Sequence, residues 1–251
     1  MGAQHVEATA ALTAASGPEG EEKRVYVRRT FSQIAPRYDL LNHLLSFNVD
    51  RAWRRKAIAA LRWERDPAGL YIDLCAGTLD VAAMLAGRRG FSGHVLGADF
   101  AEPMLRAGAG KTERSVVTPV VADALDLPVA AGSASGAIVA FGIRNVSDLD
   151  AGLREVHRVL ATGARFVILE FTTPRVSLVR ALYHLYFHHV LPRVGGLLSG
   201  HPTAYGYLPR SVANFPSEKT LAARMTAVGF REVTWRSLTL GVAAIHVGTK
   251  G

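Results

Sequence analysis

The rhythm of apolar and polar positions changes at Pro67. Ahead of it, apolar residues recur at helical spacing: Phe31 and Ile34, then Leu40, Leu41, Leu44 and Leu45, then Trp53, Ile58 and Leu61. Pro36 interrupts the first stretch and Phe47-Asn48-Val49 the second. After Pro67, short apolar runs alternate with amphipathic stretches. The runs predict strands over 70–74, 94–98, 117–121, 136–141, 164–170, 231–238 and 241–248. The stretches between them predict helices over 79–88, 102–110, 149–160, 178–190 and 217–228. Gly163 reads as the stop of the helix ending near Leu160, and Pro128 falls in a loop.

Strands alternating with helices imply a parallel sheet covered on both faces. The last two strands, separated only by Thr239-Leu240, imply a closing antiparallel hairpin. The expected fold is therefore α/β, a Rossmann-like doubly wound sheet with a terminal antiparallel hairpin and added N-terminal helices. Residues 1–24 are rich in Ala, Gly, Ser, Thr and Glu without a period, and predict a disordered tail. Residues 25–251 read as a single domain. Within it, 25–66 form a helical cap and 171–210 a lid-like insert. The insert includes the mostly apolar stretch Val176 to Leu198, interrupted by Arg180, three histidines, Pro192 and Arg193. That stretch suits a core helix, a lid over an apolar substrate, or a surface that touches lipid.

Composition adds two constraints. A single cysteine, Cys75, excludes an intramolecular disulfide and any multi-cysteine zinc site. No apolar run approaches the length of a membrane span and no signal peptide is evident, so a cytoplasmic location is expected. The net charge of +8 is unevenly placed. From Lys23 to Asp66 there are eleven Lys or Arg against four Asp or Glu. Such a segment can meet nucleic acid, an anionic membrane surface, or nothing but solvent.

The chemistry concentrates at the ends of the predicted strands. Tyr71-Ile72-Asp73-Leu74-Cys75-Ala76-Gly77-Thr78-Leu79-Asp80 is an apolar run, an acid, a small-residue turn and a helix start. A second run ends in Asp99, whose carboxylate can accept two ribose hydroxyls. A dinucleotide fingerprint asks for three glycines so that a pyrophosphate can sit on the helix N-terminus. This turn has only Gly77, which favours S-adenosylmethionine, a nucleoside ligand without phosphate. Asp73 and Asp80 flank the turn, on the side of a sulfonium. Asp123 and Ala124 follow the third run, where an adenine edge would be read. Arg144 and Asn145 follow the fourth, where a polar pair can polarise an acceptor oxygen.

Phe31-Ser32-Gln33-Ile34-Ala35-Pro36-Arg37-Tyr38-Asp39-Leu40-Leu41-Asn42 resembles the N-terminal signature of the ubiquinone/menaquinone C-methyltransferase family. The resemblance continues in order through the 73–80 turn, Ala98-Asp99, Phe141 to Val146, Leu169-Glu170-Phe171, His189 to Arg193, Tyr205 to Leu208 and Thr239 to Val242. It implies a class I S-adenosylmethionine-dependent methyltransferase fold. It also implies C-methylation of a prenylated quinol ring, either demethylmenaquinol to menaquinol or the ubiquinol precursor. The implied cofactor contacts are Thr78, Asp99, Asp123 and Ala124, to which the reading of the turn adds Asp73 and Gly77; the expected catalytic group is Arg144, Asn145 and Tyr38. Arg144 and Asn145 would stabilise a phenolate-like oxygen and Tyr38 would orient the ring. A water or a nearby histidine, His189 or His201 by composition, would take the proton. No metal is required. A prenyl tail implies peripheral contact with an anionic membrane, and a homodimer is left open.

Three positions depart from the family pattern: Ala76 and Leu79 stand where glycines are common, with Leu79 expected near the methionine end of the cofactor, and Ala140 where a serine is common. Ala76 and Leu79 motivate a rival reading, a non-catalytic cofactor-binding scaffold in quinone biosynthesis. A nucleic-acid methyltransferase is the other rival, prompted by the basic charge. No RNA-binding module and no Pro-Pro-Tyr-type tetrapeptide supports it, so no nucleic-acid partner is expected.

Overall fold

The computed structural model describes residues 20–35, 38–39, 46, 48–113, 115–174, 176–186 and 202–251, with the side chains of 182, 184 and 202–206 outside that description. Runs of Val, Ile, Leu and Ala make the parallel strands. They are β1 (Leu70–Leu74), β2 (His94–Asp99), β3 (Val117–Val121), β4 (Ala134–Ala140) and β5 (Leu160–Phe171). Of these, β1 and β4 at the middle of the sheet are buried along almost their whole length. β6 (Phe230–Leu238) and β7 (Ala243–Lys250) close the chain. The sheet order is β3-β2-β1-β4-β5-β7-β6. β1 to β5 pair in parallel, and β7 runs antiparallel to both neighbours. The chain therefore reverses its direction of travel across the sheet between β1 and β4, which opens a crevice at their carboxyl ends.

Helices cover both faces. α1 (Gly20–Ile34), α2 (Val49–Leu61), α3 (Asp80–Ala86) and α4 (Glu102–Gly108) precede β3; α5 (Leu149–Val159) precedes β5. α6 (Ser177–Leu185), α7 (Pro202–Ala213) and α8 (Glu218–Ala227) lie between β5 and β6. On one face, Trp53, Ala57, Ile58 and Leu61 of α2 join Val81 and Leu85 of α3 against the sheet. On the other, Leu153, Val156 and Val159 of α5 pack with Leu221 and Met225 of α8. α5 starts where Asp148 accepts the Ala151 N–H at 2.9 Å, a carboxylate N-cap that also suits the helix dipole.

All seven expected strands are present, with ends shifted by up to four residues. Three differences are informative. α1 begins at Gly20, inside the stretch expected to be tail; its inner face is Val27, Thr30 and Ile34, spaced i, i+3, i+7. Gly163 does not cap α5. That helix ends at Val159, and Gly163 (φ +81°) lies inside β5, where the pairing with β4 slips between Ala134 and Gly136. α7 was not expected as a helix: it contains Gly206 and Pro209 and carries little periodicity. Of the proposed insert 171–210, α6 and α7 are described; residues 187–201, with His189, and His201 lie outside the described residues.

Candidate active site

The ends of β1 to β4 converge on a cleft with about 660 Å³ of empty space. Cys75 and Gly77 form its floor, Asp99 and Phe100 one wall, and Ala122, Asp123 and Ala124 the far rim. Phe141, Gly142, Asn145 and Val146 form the opposite rim. Arg24, Val27 and Phe31 of α1, with Tyr38, cover the top.

The turn after β1 is held by its own backbone. Ala76 N–H donates to Ala98 O at 3.0 Å, and Leu79 N–H to Ala76 O at 2.8 Å. Gly77 takes φ +53°, a conformation glycine adopts without steric cost. Cys75 (φ +53°) and Leu79 (φ +64°) take it with side chains attached. Left-handed backbone at such residues clusters at functional sites. Gly142 also has a packing reason: a Cβ there would lie 2.3 Å from Cys75 Cβ.

Asp99 is buried at the end of β2. Its Oδ2 accepts the Gly77 N–H at 2.9 Å and its Oδ1 the Ala101 N–H at 2.8 Å. Burial pushes its pKa up, and those two backbone donors pull it back down. A carboxylate has about four lone-pair sites, so two backbone bonds leave capacity for two hydroxyl donors from the cleft. Asp123 Oδ1 accepts the Leu125 N–H at 3.0 Å, while its Oδ2 pairs with Arg24 Nη2 at 2.9 Å.

Of the expected site residues, Tyr38, Gly77, Asp99, Asp123, Ala124 and Asn145 line the cleft. Asp73, Thr78 and Arg144 do not, for separate reasons. Asp73 lies under the turn and accepts the Ala82 N–H at 3.0 Å; burial pushes its pKa up to about 7. Thr78 is buried and its hydroxyl donates to Asp39. Asp80 pairs with Lys111 at 2.5 Å rather than with the cleft.

Arg144 is held by other partners. Its Nη1 donates to Glu170 Oε1 at 2.7 Å and to the Phe141 carbonyl, and its Nε to Ser211 Oγ at 3.2 Å. The guanidinium lies 5.6 Å from the centroid of the Phe171 ring. These bonds tie it to Glu170, Ser211 and the backbone of the turn. Asn145, its neighbour, faces the cleft. Tyr207 Oη donates to Asn145 Oδ1 at 3.1 Å, which leaves the amide nitrogen as the donor end.

Leu79 also differs from expectation. Its side chain is buried in the core beneath the turn, where a Cβ on Gly97 would come within 2.4 Å of its Cδ2. It does not line the cleft. Glu170, Lys23 and Arg24 were missed as site residues. An acid ending the apolar run 164–170 was the available signal for Glu170. The two basic residues lay in the stretch read as tail.

Beside the cleft is an apolar, mostly aromatic cluster. Ile34 and Tyr183 pack there with Phe31, Tyr38, Phe171, Tyr186, Leu208 and Val242. Phe31 and Tyr38 belong to both, so this cluster borders the cleft.

The profile of the ubiE/COQ5 methyltransferase family matches residues 19–250. The chain belongs to that family. It is 48% identical over 222 residues to the demethylmenaquinone methyltransferase of Thermus thermophilus, covering 88% of this chain and 99% of that one. It is 44% identical over 233 residues to the ubiquinone/menaquinone biosynthesis C-methyltransferase UbiE of Geotalea uraniireducens, covering 91% and 98%. Among solved structures, a SAM-dependent methyltransferase from Thermotoga maritima superposes with a TM-score of 0.63 at 18% identity, covering 89% of this chain and 99% of that one, which shows the shared fold.

A member of the ubiE/COQ5 family is a methyltransferase with S-adenosylmethionine as its cofactor. The cleft fits that group. Asp99 offers acceptors to ribose hydroxyls, and Asp123 with the Ala124 backbone offers an acceptor and a donor to an adenine edge. Phe100 and Met104 supply an apolar wall for a flat base. The turn at Gly77 has no nest of glycines for phosphate, consistent with a ligand that carries none.

Proposed function

We propose that this chain transfers a methyl group to a ring carbon of a prenylated quinol, converting demethylmenaquinol to menaquinol. The ubiquinol precursor is the alternative acceptor. The observation that carries this reading is that the Asp99 cleft is bordered by the aromatic cluster around Phe31, Tyr38 and Tyr183. A cleft with acidic groups at its wall and rim, bordered by an aromatic cluster, suits a charged cofactor and a lipid-soluble ring. The names of the Thermus and Geotalea relatives supply the substrate class.

When bound, the cofactor supplies an electrophilic methyl on sulfur. The chain's residues supply position. Asp99 and Asp123 fix the nucleoside end. Tyr38 and Phe31 bound the acceptor ring, and Asn145 offers its amide N–H to the oxygen next to the reacting carbon. Loss of the proton from that oxygen raises electron density on the carbon, and a hydrogen bond to the developing phenolate lowers the barrier. Arg144 acts through Asn145, as a brace held by Glu170. A water takes the proton in this scheme.

Among the described residues no helix is long and apolar enough to cross a membrane. Access to a bilayer substrate then calls for peripheral contact at the cytoplasmic face. α6 supports that reading: Leu178 and Leu185, seven residues apart and therefore on one face, are both exposed, and so is Val176 just before the helix. The exposed Arg180 adds positive charge on the same helix. Retention on anionic vesicles that falls with salt is expected; equal retention on neutral vesicles at any salt contradicts it.

The test of the function is a methyl-transfer assay with labelled S-adenosylmethionine. Reduced demethylmenaquinone and a demethylated ubiquinol precursor are offered separately, with Asp99→Ala and Asn145→Ala as controls. Label moving into one quinol and lost in both variants supports the reading and selects the acceptor. Cofactor binding without transfer to either quinol supports the scaffold alternative.

A further inference from the structure

The two residues Lys23 and Arg24, adjacent on α1, reach opposite rims of the cleft. Lys23 Nζ donates to Arg144 O at 3.0 Å and to Val146 O at 2.8 Å, across more than 120 residues of sequence. These carbonyls stand on either side of Asn145. Arg24 Nη2 bonds Asp123 Oδ2 at 2.9 Å, on the rim where the cofactor's base would be held.

We propose that Lys23 is a positioning residue for methyl transfer, and that with Arg24 it staples α1 across the cleft. The inference rests on the function proposed above and names how that site is held. A 3-10 turn of three residues, 143–145, has few backbone hydrogen bonds of its own: Asn145 N–H to Gly142 O and Val146 N–H to Ile143 O. The bond to Arg144 O holds the peptide plane that leads into Asn145, and the bond to Val146 O ties down the residue after it, so the turn that carries the Asn145 side chain is held on both sides. Charge-assisted bonds at these lengths are the stronger kind. The Arg24–Asp123 contact is different. Arg24 is 44% exposed and Asp123 27%, so solvent and salt weaken it. One arm of the staple is firm and the other is a latch, which suits a helix that must let a cofactor in and out.

The two arms predict separable effects. Lys23→Met lowers kcat by about tenfold to a hundredfold, the scale expected when a contact group is misplaced by about an ångström. It leaves the affinity for S-adenosylhomocysteine, read by calorimetry, within about threefold. Amide hydrogen exchange over 142–147 speeds up, which does not depend on knowing the acceptor. Lys23→Arg keeps charged donors and recovers part of kcat; Lys23→Gln serves if Lys23→Met does not fold. Arg24→Ala weakens S-adenosylhomocysteine binding, removes part of its salt dependence and speeds exchange in α1. An unchanged kcat together with unchanged exchange over 142–147 in a folded Lys23 variant overturns the proposal. If the unsubstituted protein methylates neither quinol, the functional reading fails instead, and the exchange measurement alone decides the staple.

Discussion

Replacing Glu170 with Gln tests whether Arg144 is a brace. Glu170 Oε1 accepts Arg144 Nη1 at 2.7 Å and the Phe171 N–H at 2.9 Å, and Oε2 faces the Arg144 N–H at 3.4 Å. The side chains are 6% and 1% exposed, so solvent can replace neither partner. Gln has the same shape but no charge. Whichever way its amide turns, the –NH2 meets an N–H donor, and the guanidinium stays buried without its counter-ion. Breaking a buried pair from one side costs about 3–5 kcal/mol. At about 2–4 °C per kcal/mol for a domain of this size, the thermal midpoint falls by roughly 6–20 °C. Urea unfolding of Glu170→Gln, Arg144→Met and the double variant gives the coupling energy directly. A coupling of at least about 2 kcal/mol is expected, with the double variant more stable than the sum of the singles implies. A coupling under about 0.5 kcal/mol, or a Glu170→Gln as stable as the parent, would refute the reasoning and return Arg144 to the role of a direct contact to the acceptor oxygen.

Asp99→Asn removes the charge that would receive the ribose hydroxyls, and weakens cofactor binding by about tenfold to a hundredfold; calorimetry giving less than a threefold change would count against that role. Leu79→Gly relieves left-handed backbone at about 1–2 kcal/mol but deletes a buried side chain at about 2–5 kcal/mol, so a net loss of stability is expected from denaturant titration. A gain would show that the leucine is tolerated rather than packed. Asp73 has a folded-state pKa pushed up to about 7 against an ordinary value near 4, so the native state holds its proton more tightly than the unfolded chain. Between about pH 4 and 7 this group therefore lowers stability as pH rises, by up to about 1.4 kcal/mol per unit, and Asp73→Asn flattens that part of the thermal-midpoint profile. A variant profile parallel to the parent's would place the pH dependence elsewhere.

The sheet was legible because its strands follow a simple rule. Central parallel strands are apolar on both faces, so 70–74 and 136–141 stand out as runs whatever surrounds them. The acid at the end of the second run was legible for the same reason: Asp99 ends an apolar strand and has no place in the core. What was not legible depends on contacts between distant segments. α1 has a periodic inner face, but its first turn, Gly20 to Lys23, contains no apolar residue and becomes significant only when Lys23 meets carbonyls more than 120 residues away. α7 carries Gly206 and Pro209, which argue against a helix locally. Arg144 reads as a polar residue at a ligand-binding strand end. Only the register of β4 beside β5 reveals that Glu170, on the neighbouring strand, holds it. The direction of Leu79 is likewise set by the space left beside Gly97.

The central claim is that methyl goes to carbon on a quinol ring. Reaction of the protein with ¹³C-methyl S-adenosylmethionine and reduced demethylmenaquinone, followed by carbon NMR of the extracted product, tests it most directly. The expected product carries a label with the chemical shift of a methyl bonded to ring carbon. A label in a methyl ether, or an unlabelled quinol from protein that binds the cofactor, would contradict it.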